Sequence, residues 1–181
     1  MLYKDFPKQI TFVLLAESHF QLLLKWLHAP HVQAYWDHDL KYDLDLVKAK
    51  FGKYIHGIPI SNVPNKSVHA YIVHLDDTPI GYIQSYNACY HAQKNGLDLN
   101  LIPKNSAGID IFIGEEKFLG KGFSSLIIEA FWSQIVSKHF EHCLVDPDAN
   151  NIKAIRAYVK AGFTVVSSLS NDKTTWMILD K

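Results

Sequence analysis

Cysteine is scarce: Cys89 and Cys143 are the two in 181 residues, and no C-x-x-C pair exists. A disulfide framework and a cysteine-based zinc site are thereby excluded, leaving both thiols as reduced packing residues. Cys143 lies in HCLVD, which reads as a buried strand. No apolar run approaches the ~20 residues of a helical membrane span. The opening MLYKDFPKQITF lacks the apolar stretch of a secretion signal, so a soluble, cytoplasmic protein is the expectation. Neither sign of charge dominates, with 18 Lys plus Arg against 18 Asp plus Glu. Nothing in that balance draws the chain to nucleic acid or a membrane surface, so local charge must carry any recognition. Ten histidines are present, but there is no H-E-x-x-H and no carboxylate at ligand spacing, so no metal is expected. No repeat, low-complexity tract or linker divides the chain. One domain over residues 1–181 is expected, and its 48% hydrophobic content is enough for a sizeable core.

The periodicities describe a mixed α/β (α+β) chain. ITFVLL reads as a first strand, and ESHFQLLLKWLHA as a helix capped by Ser18 and boxed by Gln21, with Pro30 as its limit. DLDLVKAKFGKYIHG has helical potential. The segment 68–88 reads as a β-hairpin turning at Asp76-Asp77-Thr78-Pro79, and 91–106 as a polar loop. A strand over 108–113, a glycine loop, a helix to about His139 and a strand over 142–146 follow. The loop PDANN leads to a helix, IKAIRAYVKA, which stops at Gly162. A β-hairpin of FTVVSSL and TTWMILD ends the chain. The mixed central sheet is expected to be flanked by helices.

In EEKFLGKGFSS, Gly120 and Gly122 bracket Lys121 between an apolar strand and a long helix. Such a loop presents free backbone N–H groups at a helix start, and glycine lets a ligand approach the backbone. Ser124 and Ser125 add hydroxyl donors, and Lys117 and Lys121 add positive charge. The unit suits a pyrophosphate, although it is neither a Walker A loop nor G-x-G-x-x-G. Taken alone, it fits equally an ordinary connection that uses glycine only to turn. A second constellation lies in DPDANNIKAIRAYVKAGF. Asn151, Ala154 and Tyr158 share one helix face, while Ile152, Ile155 and Val159 occupy another, read as the core stripe.

Together these stretches resemble the GNAT superfamily of acetyl-CoA-dependent N-acetyltransferases. The family's phosphate loop, Q/R-x-x-G-x-G/A, is here Lys117-Phe118-Leu119-Gly120-Lys121-Gly122, with Lys117 departing from Gln/Arg but keeping its basic character. The later N-x-x-A-x-x-x-Y and G-F are Asn151, Ala154, Tyr158, Gly162 and Phe163. A narrower resemblance, to bacterial aminoglycoside 6′-N-acetyltransferases, is carried by KWLHAPHVQAYW, PIGYIQSY, GIDIFIG, FLGKGF and DPDANNIKAIRAYVKAGF. Siderophore-pathway lysine acyltransferases share the general layout, but they favour Glu-Pro where this chain has Asp146-Pro147.

The resemblance implies a single-domain GNAT fold and acetyl-CoA as cosubstrate. It implies that Ile111, Phe112 and Ile113 hold the thioester and pantetheine arm. Phe118, Leu119, Gly120, Lys121, Gly122, Phe123 and Ser124 would hold the pyrophosphate, with Asn151, Ala154 and Tyr158 completing the cofactor site. Asp110 interrupts an otherwise apolar strand and is the expected acceptor of the amine's proton; otherwise it pairs with a lysine or a backbone N–H. Tyr158, protonated at neutral pH, is the expected acid or hydrogen-bond donor toward the CoA sulfur. The resemblance makes Asp146, Gln84 and Tyr86 substrate contacts. Trp36, with Asp37 beside it, reads as a lid over a sugar ring, or as an acidic turn with one anchoring aromatic. The expected substrate is a polycationic small molecule, most concretely the 6′-amine of an aminoglycoside. A lysine-type siderophore precursor or peptide amine is the enzymatic alternative, and a CoA-binding sensor the non-enzymatic one. Exposed aromatics would serve a homodimer or a lid.

Overall fold

A computed structural model describes residues 9–55, 67–94 and 99–181. The tail of the third predicted helix, at 56–57, and part of the predicted loop, at 95–98, lie outside the described residues. Seven strands form one sheet: β1 (Ile10–Leu14), β2 (His69–Leu75), β3 (Thr78–Asn87), β4 (Ser106–Ile113), β5 (His142–Val145), β6 (Thr164–Val165) and β7 (Met177–Asp180). Their order is β1-β2-β3-β4-β5-β7-β6. Among the described residues only β4 and β5 pair in parallel, and six α-helices accompany the sheet: α1 (Phe20–Leu27), α2 (Pro30–Gln33), α3 (Leu44–Phe51), α4 (Ala88–Lys94), α5 (Phe123–Gln134) and α6 (Ile152–Lys160).

The sheet is buried on both faces, so its central strands are nearly continuous in apolar residues, and alternation sorts them between two cores. Tyr71, Val73, Ile83, Ile109 and Ile113 join residues of α5 and α6 on one face. Ala70, Ile72, Tyr82 and Phe112 join residues of α1, α2 and α3 on the other. Trp26, Phe51 and Phe131 are fully enclosed, each contributing about 1.5–3 kcal/mol of hydrophobic stabilisation.

Several local expectations change. Ser18 does not cap α1. A 3-10 turn, Glu17–His19, precedes the helix, and His19 Nδ1 accepts from the Ala16 N–H at 3.0 Å. The reciprocal bond thus forms two residues upstream, on the Ala16 N–H rather than on the Ser18 N–H that Gln21 was expected to reach. Pro30 opens α2, where its missing N–H costs nothing. The predicted loop from His91 begins inside α4, whose Tyr90 N–H is bonded by Asn87 Oδ1 at 3.0 Å. The long helix ends at Gln134 rather than near His139. Ile135 leaves helical geometry and the following 3-10 turn carries Val136 into the core.

The largest correction concerns α6. Ile152 and Val159, expected in the core, are 50% and 56% exposed, whereas Tyr158 is 7% exposed. The small residues Ala154 and Ala161 lie with Tyr158 against the core. They let the helix approach closely, and the tyrosine ring packs 5.4 Å from Phe163. Ile155 does pack against the core as expected, while the turn of the helix toward Tyr158 leaves Ile152 and Val159 outside it. The C-terminal hairpin forms, but β6 is only two residues long, and β7 lies between it and β5.

Candidate active site

The parallel ladder between β4 and β5 is short. It joins Ser106 to His142, Ala107 to Cys143 and Gly108 to Leu144, and then stops. Beyond that point Ile109–Ile113 continue as strand on the β3 side alone. The two strands therefore part in the middle of the sheet. A gap there gives an extended ligand strand backbone to pair with.

Side chains converge on this gap from both faces. Tyr82, Gln84 and Tyr86 alternate onto the α1–α3 face of β3, and Asp110 is the cross-strand partner of Gln84. Tyr82 donates its hydroxyl to Gln84 Oε1 at 2.7 Å, and Gln84 Nε2 donates to Asp110 Oδ2 at 2.6 Å. The Tyr86 hydroxyl lies 3.4 Å from Asp110 Oδ1. Asp110 is thus held by neutral donors, not by the lysine or backbone N–H of the structural alternative. Burial raises its pKa, opposed by the bonds from Gln84 and Tyr86 and by the Lys50 charge, with Asp37 raising it again. Burial and the same carboxylate push the Tyr86 hydroxyl well above its ordinary value. Tyr158 comes from the opposite face. Burial, then Asp110, Cys143 and Asp146, raise its pKa, so it keeps its proton at neutral pH.

Asp146 follows the last residue of β5 and stays open to solvent at the cleft. Crowding by surrounding protein and the charge of Asp110 push its pKa up to about 7. Because the folded value lies above the ordinary one, the folded protein retains a proton that the unfolded chain has lost between about pH 4 and 7. The stability linked to this group falls as pH rises through that window. Asp146→Asn removes the loss: at pH 8 the variant should melt higher, and at pH 4 equally. Discounted for solvent screening to about 1 kcal/mol, the gain corresponds to roughly 2–4 °C in a domain of this size. Melting curves at the two pH values check this, and an unchanged Tm difference across them would show that the fold does not shift the Asp146 carboxyl.

The glycine loop meets its expected geometry. Gly120 and Gly122 have φ of 69° and 81°, the left-handed region, and Gly122 caps the start of α5. A Cβ on Gly120 would meet nothing within 4 Å, and one on Gly122 only Lys160 Nζ at 3.6 Å. The glycines serve backbone conformation and leave open space before the helix amides. Lys160 was absent from the expected set, yet its ammonium stands at the mouth of the loop. Its position as the last residue of α6 carries no local signal for that placement. Lys117 and Lys121 are exposed nearby. Phe118 and Phe123 pack edge to face at 5.7 Å, bracing the loop from within. Ser125 is buried and donates to the Gly122 carbonyl at 3.1 Å, leaving Ser124 as the more open hydroxyl. Asn151 Oδ1 accepts from the Ala154 N–H at 3.1 Å, so its observed work is to cap α6.

Trp36 does not stand as a free lid. Its ring packs edge-on against Phe112 at 4.9 Å and Tyr82 at 5.7 Å, forming a cleft wall whose Nε1 is buried without a hydrogen-bond partner. Asp37, at φ 44°, accepts from the Tyr42 hydroxyl at 2.6 Å and from Lys50 Nζ at 2.5 Å. Gly108 is a further missed residue: a Cβ there would lie 2.3 Å from Tyr86 Cε2. Its bare backbone lets the Tyr86 ring lie across β4 toward Asp110. At the far end of β4, His31 Nε2 donates to the Ile113 carbonyl at 2.9 Å, fixing the strand to α2. Among the described residues, no group of three or more His, Cys, Asp or Glu could hold a metal, and no helix is long and apolar enough to cross a membrane.

A profile of the acetyltransferase (GNAT) domain matches residues 16–170. An aminoglycoside N(6')-acetyltransferase type 1 of Klebsiella pneumoniae is 29% identical over 156 residues, covering 85% of this chain and 73% of that protein. Its namesake from Serratia marcescens matches to the same extent. The solved structure of aminoglycoside acetyltransferase AAC(6')-Ib with coenzyme A and kanamycin superposes with a TM-score of 0.72 at 26% identity, covering 96% of this chain and 95% of that one. The same enzyme with ribostamycin and coenzyme A gives a TM-score of 0.74, also at 26% identity, covering 96% and 94%.

Proposed function

Because the chain belongs to the GNAT acetyltransferase family, we propose that it transfers an acetyl group from acetyl-CoA to a primary amine of a small polycation, the 6′-amine of an aminoglycoside. The observation that carries this reading is the convergence of Asp110 and Tyr158 from opposite faces of the sheet on the gap between β4 and β5. The similarity to enzymes named for that substrate supports it. The residues fit the cosubstrate: a strand edge at Ile111–Ile113 suits the pantetheine arm. The amides after Gly120 and Gly122, with Lys121 and Lys160, suit the pyrophosphate.

Acetyl-CoA supplies the acetyl group and a thiolate leaving group. Asp110 takes the proton of the acceptor ammonium, directly or through one water, so that a neutral amine attacks. Its raised pKa makes it a better base than an exposed aspartate. Gln84 and Tyr86 hold the carboxylate in place while it does so. As the carbon–sulfur bond breaks, Tyr158 hydrogen-bonds the departing sulfur and gives it a proton, and the proton that the new amide nitrogen loses returns to the phenol through water. Asp146 anchors an ammonium at the open end, most strongly above pH 7, where its carboxylate is charged. Alignment of the two reactants supplies a large share of the rate.

The test is an acetyl-CoA consumption assay with a 6′-amino aminoglycoside and its 6′-hydroxyl analogue. Turnover confined to the amine is expected. Equal rates on both compounds, or brisk turnover of a hydroxylysine or peptide with neither aminoglycoside accepted, would overturn the substrate assignment.

A further inference from the structure

The acceptor cleft contains a cation of its own. Lys50, in the last turn of α3, reaches Asp37 Oδ2 at 2.5 Å and the Tyr42 hydroxyl at 3.0 Å. Its ammonium also lies 5.7 Å from the ring centres of both Tyr42 and Phe51. A carboxylate, a hydroxyl and two aromatic faces are the elements of an ammonium-binding cage. Here the chain fills that cage itself. The cage adjoins the chemistry: Phe51 packs 5.5 Å from Tyr82, whose hydroxyl holds Gln84, which in turn holds Asp110. Both members of the pair are 30% exposed, so the bond is reachable from solvent and weak.

We propose that Lys50 is a resident counter-ion that an incoming ammonium replaces at Asp37, making Lys50 the residue that sets how many charges an acceptor profitably carries. The proposal rests on the amine-acetylating reading above. An acceptor whose second ammonium reaches Asp37 while its reacting amine sits at Asp110 exchanges with Lys50 and displaces it toward solvent. The lysine stem is long enough to swing out while its methylenes stay on Phe51. An acceptor with a single ammonium at Asp110 leaves the Lys50–Asp37 pair intact. The aspartates of the cleft therefore attract a polycation less than their number suggests.

Steady-state kinetics of wild type, Lys50→Met and Lys50→Arg test this on a 6′-amino aminoglycoside and on a derivative with every other amine acylated. Lys50→Met keeps the stem and removes the charge. Its KM for the parent compound should fall about tenfold, as expected for deleting one competing unit charge near a half-exposed carboxylate. Compared at a pH where Asp110 is ionised in both proteins, since the Lys50 charge lowers the Asp110 pKa, its kcat should hold and its KM for the acylated derivative should not change. Lys50→Arg, which retains the charge, should resemble wild type. Should Lys50→Met melt well below wild type, Lys50→Gln replaces it. An unchanged or raised KM for the parent compound, or an equal fall for the two, overturns the exchange alone. Absence of wild-type turnover on both compounds overturns the amine reading and the exchange with it.

Discussion

Asp110→Asn should lower kcat/KM for the aminoglycoside about 10²–10⁴-fold, the usual contribution of a positioned general base. Affinity for CoA should stay within about twofold, because the loss is confined to the acceptor side. The substitution is nearly isosteric. The amide oxygen can still accept from Gln84 Nε2, which lies 2.6 Å from the carboxylate, and the new amide can donate to the Tyr86 hydroxyl. What disappears is the charge and the basicity. Burial disfavours the carboxylate at this position, as its raised pKa records, so stability should not suffer. Asp146→Asn offers the contrast: an anchor for a remote ammonium raises KM and spares kcat. Initial rates for both variants, with calorimetric titration of CoA, distinguish the two aspartates. Wild-type kcat/KM in the Asp110 variant would show that this carboxylate only shapes the cleft.

Tyr158→Phe should reduce kcat by about 10²-fold or more while leaving CoA affinity and Tm close to wild type. The ring is buried against Phe163, and phenylalanine preserves that packing. Removing the hydroxyl deletes one group, which burial and the nearby carboxylates keep protonated across the working range. A hydroxyl that merely packed would leave kcat untouched. Pre-steady-state acetyl transfer, compared with steady-state kcat, separates a slowed chemical step from slowed product release.

Much of the site could be read before any coordinates. The glycine pair was legible because left-handed backbone at a helix start is a local property that glycine meets without steric cost. The alternation of Gln84 and Tyr86 on one strand face was legible because strand periodicity is two. A carboxylate interrupting GIDIFIG stood out for the same reason: its neighbours are apolar on both faces. The stripe of α6 was misread at Ile152 and Val159, which with Ile155 satisfy helical periodicity as well as Ala154, Tyr158 and Ala161 do, although Ile155 does pack against the core. Choosing between the two faces requires the shape of the surface opposite. Trp36 was read as a lid because an aromatic beside acids looks alike whether it covers a ligand or fills a wall. Phe112 and Tyr82, 76 and 46 residues further along the chain, decide for the wall.

The sequence by itself determined the order of the strands and of helices α1, α3, α5 and α6, and the faces on which most strand residues lie. It also determined the positive-φ backbone at Gly120, Gly122 and Gly162, because short-range sterics and side-chain periodicity act within a few residues. The tertiary structure decided where β4 and β5 part, which face of α6 meets the core, and how Gly108 admits Tyr86. It also decided that Lys50 closes on Asp37 and that Lys160 stands over Gly122. Each of these is a close approach between segments far apart in the chain. Such approaches follow from the packing of two cores against one twisted sheet, a sum over many distant contacts that no single stretch of residues contains.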